Sequence, residues 1–150
     1  MVDFNCDVVG PVPSAAGLGD ALLVGIDFSP ASIRALEAAL RWRPPRADVI
    51  GLHVVDSDEA TRLEQLGLWS FGEAVANQRA CAERKLAELL ERGAFDPMIV
   101  EGVPFAEIIK VAADLECDLI VLGSPRSSLQ FGGTAETVLR ATSQAVLCVP

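Results

Sequence analysis

A glycine-rich segment near the carboxyl end of the chain has the residue types of an anion-binding loop. The apolar run 119–122 stops at Gly123, and Gly133 and Thr134 then open a helical pattern. The first turn of a helix offers unpaired backbone N–H groups and roughly half a positive charge, which attract phosphate. The spacing therefore predicts a phosphate site, and a nucleotide is the first ligand to consider.

The residues between the two glycines add polar groups to this candidate site. Arg126 brings a guanidinium that can neutralise phosphate directly. Ser124, Ser127 and Ser128 bring candidate hydroxyl donors, although loop serines are more often simply solvated. Thr134 can equally be no more than the N-cap of its helix.

The charge of the chain restricts its partners. It has 150 residues, which suits one domain, and a formal net charge of -9. Binding to nucleic acid or to an anionic membrane needs a basic face, so neither partner is expected. A bound polyphosphate would have to be neutralised locally, by Mg²⁺, by helix N-termini or by a placed arginine.

Neither a membrane span nor a targeting segment is expected. The apolar runs fall far short of the roughly 20 residues that cross a bilayer, and the first residues lack the pattern of a signal peptide. The cytoplasm is the expected compartment. The four cysteines are widely separated, with no CxxC pair, which predicts free thiols rather than a metal site.

Strand patterns alternate with helical patterns from residue 21 onward. Residues 1–20, rich in glycine and proline, are predicted to be a flexible arm before a single domain of residues 21–150. Ser29 and Pro30 predict the N-cap and first position of the first helix, with Ile33, Leu36 and Leu40 as its buried stripe. The predicted strands are 21–26, 49–55, 98–101, 118–122 and 145–149, and the later helices are 59–68, 73–92, 104–115 and 134–141.

This alternation indicates an α/β fold, an open parallel sheet with helices on both faces. We predict five strands in the order 3-2-1-4-5. Ligands of such sheets bind beyond the carboxyl ends of the strands, at the point where the strand order reverses. That point lies between the first and fourth strands, which Asp27 and Gly123 follow.

The common nucleotide-binding signatures are absent from the sequence. The two lysines, Lys85 and Lys110, do not follow a glycine, so there is no Walker loop. Gly17 and Gly19 precede the first strand instead of following it, so there is no dinucleotide fingerprint. A response-regulator receiver is also excluded, because Asp27 has no acidic neighbour and no lysine follows the last strand.

Five segments, in order, resemble the universal stress protein family over residues 21–150. They are ALLVGIDFSPASIRALEAAL, ADVIGLHVVD, the GVP before the third predicted crossover helix, DLIVLGS, and GGTAETVLRATSQAVLCVP. The resemblance implies the α/β fold predicted above, an adenine nucleotide as ligand, and a homodimer formed through the last strand, from Ala145 to Val149. An apolar edge strand also favours pairing with a second copy on physical grounds.

The resemblance also implies roles for individual residues. The positions of Asp27 and Val54 lie near the adenine in nucleotide-binding members, and those of Gly133 and Thr134 at the phosphates. The ordinary alternatives are turn chemistry for Asp27 and a plain strand residue for Val54. Gly123 has both a turn and a ligand-approach interpretation. His53 is interpreted as a packed or partly exposed histidine.

The phosphate loop departs from the family pattern. ATP-binding members carry G-x2-G-x9-G-[ST], whereas only nine residues separate Gly123 from Gly133, and Arg126 occupies the position of the middle glycine. A shorter loop has fewer backbone donors to direct at the β- and γ-phosphates. Weaker triphosphate binding, a preference for mono- or diphosphate, and loss of nucleotide binding all stay open.

Two functional hypotheses follow. The first is a regulatory module of the stress response that binds ATP or another adenine nucleotide, with or without Mg²⁺. The second is a dimeric protein-interaction module that does not bind nucleotide, because its phosphate loop is shortened. Since no nucleophile–base pair can be named from the spacing, catalysis beyond a weak ATPase is not expected.

Overall fold

The computed structural model describes residues 20–125 and 133–150. The predicted arm lies outside these residues except for Asp20, and Arg126, Ser127 and Ser128 lie outside them as well. Five strands form one sheet in the order β3-β2-β1-β4-β5, and every pair is parallel. The predicted fold class and strand order are therefore confirmed. The strands are β1 (Ala21–Gly25), β2 (Asp48–Asp56), β3 (Asp96–Gly102), β4 (Leu119–Gly123) and β5 (Ala145–Val149).

Helices cover both faces of the sheet. They are α1 (Pro30–Trp42), α2 (Ser57–Gln65), α3 (Phe71–Leu90), α4 (Pro104–Asp114) and α5 (Gly133–Ala141). Helices α1 and α3 pack on one face and α4 and α5 on the other, each pair contributing buried side chains to its own apolar cluster. Both layers shield the central strands, which explains why β1 and β4 read as continuous apolar runs. In the parts of the chain described, no helix combines the length and apolar character needed to span a membrane.

Helix α1 begins where the sequence predicted. The Ser29 hydroxyl accepts a hydrogen bond from the Ser32 N–H at 3.2 Å, and Pro30 takes the first helical position. The predicted buried stripe is partly wrong. Leu36 is fully buried, but Ile33 and Leu40 are only half-buried, while small residues lie deepest: Ala31, Ser32, Ala35 and Ala39. The small residues allow α1 to lie close against β1 and β4.

Helix α4 ends in a Schellman motif without a glycine. The Cys117 N–H donates to Ala112 O at 2.8 Å and the Glu116 N–H to Ala113 O at 3.1 Å, which places Glu116 in the left-handed region with φ 51°. The Gln144 side chain adds two hydrogen bonds, to Ala112 O at 2.9 Å and to Cys117 O at 2.6 Å. The carboxyl end of α4 is thereby tied to the connection between α5 and β5.

Candidate functional site

A cavity of about 370 Å³ opens at the carboxyl ends of β1, β2 and β4, where the strand order reverses. Four of the predicted site residues line it, from four separate parts of the chain: Asp27, Val54, Gly123 and Thr134. Leu52, Ile108 and Leu122 supply apolar wall between them. The sheet topology thus brings together residues that the sequence separates by up to about a hundred positions.

The turn between β1 and α1 is built from interlocking hydrogen bonds. The Ser29 N–H donates to Asp27 Oδ1 at 2.9 Å, and the Asp27 N–H donates to Ser32 Oγ at 3.3 Å. The Ser32 hydroxyl in turn donates to Ser29 O at 3.1 Å. Phe28, in the middle of the turn, has φ 64°, an unusual conformation for a bulky residue.

Asp27 therefore performs the turn chemistry that was its ordinary interpretation, and it also faces the cavity. Burial alone would raise the pKa of Asp27, but hydrogen bonds from the side chain and backbone of Ser29 and from Ser32 outweigh this and lower it. The carboxylate stays charged at neutral pH. One of its oxygens already accepts from Ser29, so only part of its accepting capacity is left for a ligand.

His53, which the sequence analysis interpreted as a packed or partly exposed histidine, lines the cavity. Its Nδ1 lies 2.7 Å from Ile26 O, and because a carbonyl can only accept, Nδ1 carries the hydrogen. The ring packs against Phe28 at a tilt of 37°, with centroids 4.7 Å apart, and Lys85 Nζ lies 5.1 Å from the Phe28 centroid. Burial lowers the pKa of His53; the hydrogen bond to Ile26 and the charge of Asp27 oppose this, and the Lys85 charge reinforces it. The neutral imidazole is favoured.

Two further acids were missed by the sequence analysis. Asp56 ends β2 and caps α2, accepting from the N–H groups of Asp58 at 2.9 Å and Glu59 at 3.3 Å. Both Asp56 and Glu59 line the cavity. Their position directly after an apolar strand that ends at the same edge as β1 was the available signal. Among the described lining residues the cavity has three carboxylates and no lysine or arginine.

Gly123 is a glycine because of α1, not because of its own backbone conformation. A Cβ there would lie 2.5 Å from both Ala31 O and Ser32 N and closer still to the Ala31 carbonyl carbon. Real Cβ atoms do not come so near to backbone. The next residue, Ser124, is buried, its N–H donates to Val149 O at 2.7 Å, and it does not line the cavity. Its proposed contact with a ligand stays a prediction.

The start of α5 borders a second, adjoining cavity of about 460 Å³. Gly133 and Thr134 are exposed at this helix start, and the two cavities share Thr134 and Gly123. A Cβ built on Gly133 meets nothing within 4 Å. The second cavity also has a cation in its wall, Arg34, which the sequence analysis did not select. Arg126, selected from the sequence, lies outside the described residues.

Fold and cavity together define an open α/β protein with a ligand-sized cleft at the switch point of its sheet. The sequence profile of the universal stress protein family matches residues 20–150. The chain belongs to the universal stress protein family.

Relatives of known structure agree with this assignment. The chain is 28% identical to universal stress protein MJ0577 of Methanocaldococcus jannaschii over 150 aligned residues, which covers 85% of this chain and 93% of that protein. The solved structure of MJ0577 superposes with a TM-score of 0.72, covering 87% of this chain and 94% of that one.

Two more distant structures share the fold and carry ligands. A universal stress protein solved in complex with cAMP is 22% identical, with a TM-score of 0.57 over 87% of this chain and 97% of that one. A universal stress protein family protein from Arabidopsis thaliana, solved with AMP bound, is 16% identical, with a TM-score of 0.56 over 87% of this chain and 91% of that one. At these identities the likeness concerns the fold.

Proposed function

We propose that this protein is a regulatory module that binds an adenine nucleotide in the cleft between β1, β2 and β4. The observation that carries the proposal is the convergence of Asp27, Val54, Gly123 and Thr134 on one cavity, although they come from four elements. Membership of a family in which two related structures hold AMP or cAMP supports the adenine nucleotide as the ligand class.

The charges around the cleft set the orientation of such a ligand. Asp56 and Glu59 make the α2 side acidic, which repels phosphate and suits the uncharged base. The apolar wall of Leu52 and Ile108 offers a surface for a flat ring. At the other side, the first residues of α5 present backbone N–H groups and the positive end of a helix dipole. The phosphate therefore points toward Gly133 and Thr134.

Binding rather than turnover is the proposed activity. The hydroxyls beside Asp27 serve the turn rather than a nucleophile–base pair: Ser29 Oγ accepts from the Ser32 N–H, and Ser32 Oγ donates to the backbone Ser29 O. His53 directs its Nδ1–H to Ile26 O. A weak ATPase stays the fallback, and it would need groups beyond these.

The binding test is isothermal titration calorimetry with AMP, cAMP, ATP and Mg·ATP. We expect micromolar binding of at least one of these nucleotides. Thr134→Glu adds a negative charge at the second position of α5, where it favours the helix but repels phosphate. It should weaken nucleotide binding about tenfold or more.

Ala80→Glu is the matched control, since Ala80 is exposed in the middle of α3 and far along the chain from the cleft residues. This variant should bind as the parent does. Absence of heat with every nucleotide up to millimolar concentration, from folded protein, would reject the proposal. Equal loss in both glutamate variants would show that the effect is general charge rather than the site.

A second candidate function, a homodimeric protein-interaction module, is favoured by the edge of the sheet. Strand β5 pairs only with β4 among the described strands, and its sequence AVLCV carries no charge, proline or glycine. Such an edge is open to pairing with a second copy. We propose that Ala145–Val149 forms the homodimer interface, whether or not nucleotide binds.

The dimer test is the mass in solution, by light scattering after size exclusion. Cys148→Lys adds an edge charge to β5 and should shift the mass from dimer toward monomer. Glu101→Lys, which places a lysine on the opposite edge strand β3, is the control and should leave the mass unchanged. A monomeric parent protein, or a dimer indifferent to Cys148→Lys, would reject the β5 interface.

A further inference from the structure

We propose that Arg34 binds the phosphate of the ligand and makes this site selective for a single phosphate group. The inference rests on the proposed function, because it concerns the same cleft. Arg34 lies within the first segment that resembles the family, but the sequence analysis gave it no role, and its position within α1 gives no hint of ligand binding. Its place in the wall of the second cavity is what draws attention to it.

Arg34 is held at the cavity by the end of the chain. Its Nε donates to Pro150 O at 2.9 Å, which fixes the plane of the guanidinium. Among residues 20–125 and 133–150, no acceptor is recorded within hydrogen-bonding distance of its Nη groups. The two Nη groups are the pair of donors that grips phosphate in a bidentate fashion.

The surroundings of this cavity reinforce the attraction. The first residues of α1 and of α5 both line it: Ser29, Pro30 and Ala31 on one side, Gly133, Thr134 and Ala135 on the other. Pro30 has no N–H, and that of Ser32 is taken by Ser29, so α1 contributes mainly its dipole. Helix α5 begins at Gly133 and contributes its first N–H groups as well.

The charge in the cavity decides how many phosphates it suits. Arg34 and two helix N-termini together supply about two positive charges. Asp27 also lines the cavity and subtracts one. Among the described lining residues this leaves about one positive charge, which is close to the charge that one phosphate group needs, whereas a triphosphate leaves a larger excess of negative charge that a further cation would offset. The geometry thus points to a nucleoside monophosphate or cyclic monophosphate, and to ATP only with Mg²⁺.

The test compares adenosine, AMP, and ATP with and without Mg²⁺ on four proteins: the parent, Arg34→Gln, Arg34→Lys and Arg41→Gln. Arg41 is an exposed arginine in the last turn of α1 and serves as the matched control. The parent should bind AMP about tenfold or more tighter than adenosine. Arg34→Gln should reduce this ratio severalfold while leaving adenosine affinity unchanged, and Arg34→Lys should keep more of it. ATP should need Mg²⁺ to match AMP.

The possible outcomes distinguish the role of Arg34 from the single-phosphate selectivity and from adenine-nucleotide binding itself. If AMP exceeds adenosine equally in the parent and in Arg34→Gln, the role of Arg34 is refuted while adenine binding stands. If Mg²⁺-free ATP binds as tightly as AMP, the single-phosphate selectivity is refuted. If neither adenosine nor any nucleotide binds the folded parent, the proposed function fails and the inference with it. A loss of adenosine binding in Arg34→Gln would show a structural role instead, which thermal unfolding would confirm.

Discussion

The two connections that border the cleft use glycine in opposite ways. The turn from β1 to α1 needs a left-handed residue and fills that position with Phe28, at φ 64°. The connection from β4 to α5 has glycine at both ends, yet neither Gly123 nor Gly133 has a positive φ. Glycine is thus absent from the turn position that has a left-handed backbone and present at two positions whose backbone does not require it.

Comparing these positions shows that Gly123, Phe28 and Gly133 each occupy their place for a different physical reason. At Gly123 the reason is space, because α1 leaves no room for a side chain. At Phe28 the strain of the backbone is offset by contacts of the ring with His53 and Lys85. Gly133 is explained by neither reason, since its φ is ordinary and its surroundings are open. Of the two glycines, it is Gly133 for which close approach of a ligand stays the best interpretation.

The strongest test of this distinction is a pair of alanine substitutions. Gly123→Ala places a methyl group against the Ala31 and Ser32 backbone, which cannot move without shifting α1, and should cost about 3 kcal/mol or more of unfolding free energy. Gly133→Ala should leave stability unchanged or raise it by about 0.5 kcal/mol. Urea unfolding of both variants measures the contrast. Similar values for the two would contradict it.

At position 28 we expect a glycine substitution to destabilise the protein less than an alanine substitution does. Phe28→Ala loses the ring contacts and keeps the strain, so we expect about 2 kcal/mol of destabilisation. Phe28→Gly loses the same contacts but relieves the left-handed conformation, and should be about 1 kcal/mol more stable than the alanine variant. The two midpoints of denaturation decide the order. An alanine variant equal to or better than glycine would mean that the turn rearranges.

Glu116 isolates the conformational effect, because its exposed side chain contributes little packing. It holds φ 51° at the end of α4. Glu116→Gly should stabilise the protein by about 1 kcal/mol, and Glu116→Ala by no more than a few tenths, from removing a negative charge at a helix C-terminus. Thermal unfolding of the two variants gives the difference. No gain with glycine would show that the Gln144 hydrogen bonds already hold this end rigid.

The smallest expected effect is on proton binding at the β1–α1 turn. The folded pKa of His53 lies below its ordinary value of 6.5, so the unfolded state binds more protons just below that pH. Its contribution to stability is therefore complete above pH 6.5 and declines as the pH falls toward the folded pKa. His53 is the only histidine of the chain, which makes its imidazole signal in an NMR titration unambiguous.

Two substitutions should shift the midpoint of the His53 titration in opposite directions. Asp27→Asn removes a favourable charge and should lower the His53 midpoint further, whereas Lys85→Met removes an unfavourable one and should raise it. A midpoint at or above 6.5 in the parent would contradict the burial of this ring beside Phe28. Asp27 itself, whose pKa is lowered, should stabilise the fold above its ordinary value of 3.8 and lose this contribution as the pH falls through its folded pKa.

Most of the fold was predictable because it depends on local patterns. Residues adjacent in the sequence determine the apolar runs of β1 and β4, the cap at Ser29 and the strand–helix alternation. Boundaries were less accurate: β3 was predicted as 98–101 but extends over Asp96–Gly102, with Pro97 tolerated because the strand lies at an edge. The crossover helices α2 and α3 both begin two residues earlier than predicted.

The site was predictable only where a residue follows its strand directly or resembles a family motif. Asp27 and Gly123 fall in that group. Arg34 does not, because tertiary packing places it, through its hydrogen bond to Pro150. Asp56 and Glu59 follow the apolar strand β2 closely and could have been selected by the same rule. The reason for Gly123 was also hidden from the sequence, since the backbone of α1 that excludes a side chain lies about ninety residues away.

The pairing of β1 with β4 has a consequence for the order in which the protein matures. Strand β1 is synthesised well before β4, its neighbour in the sheet, because almost a hundred residues separate the Ala21 N–H from the Asp118 carboxylate to which it donates. Until β4 and α5 have been synthesised, the nascent chain lacks the part of the cleft wall that Leu122, Gly123 and Thr134 form. A small molecule that needs the whole cleft can therefore bind only after β4 and α5 have been synthesised, and cannot assist the folding of the preceding part during translation.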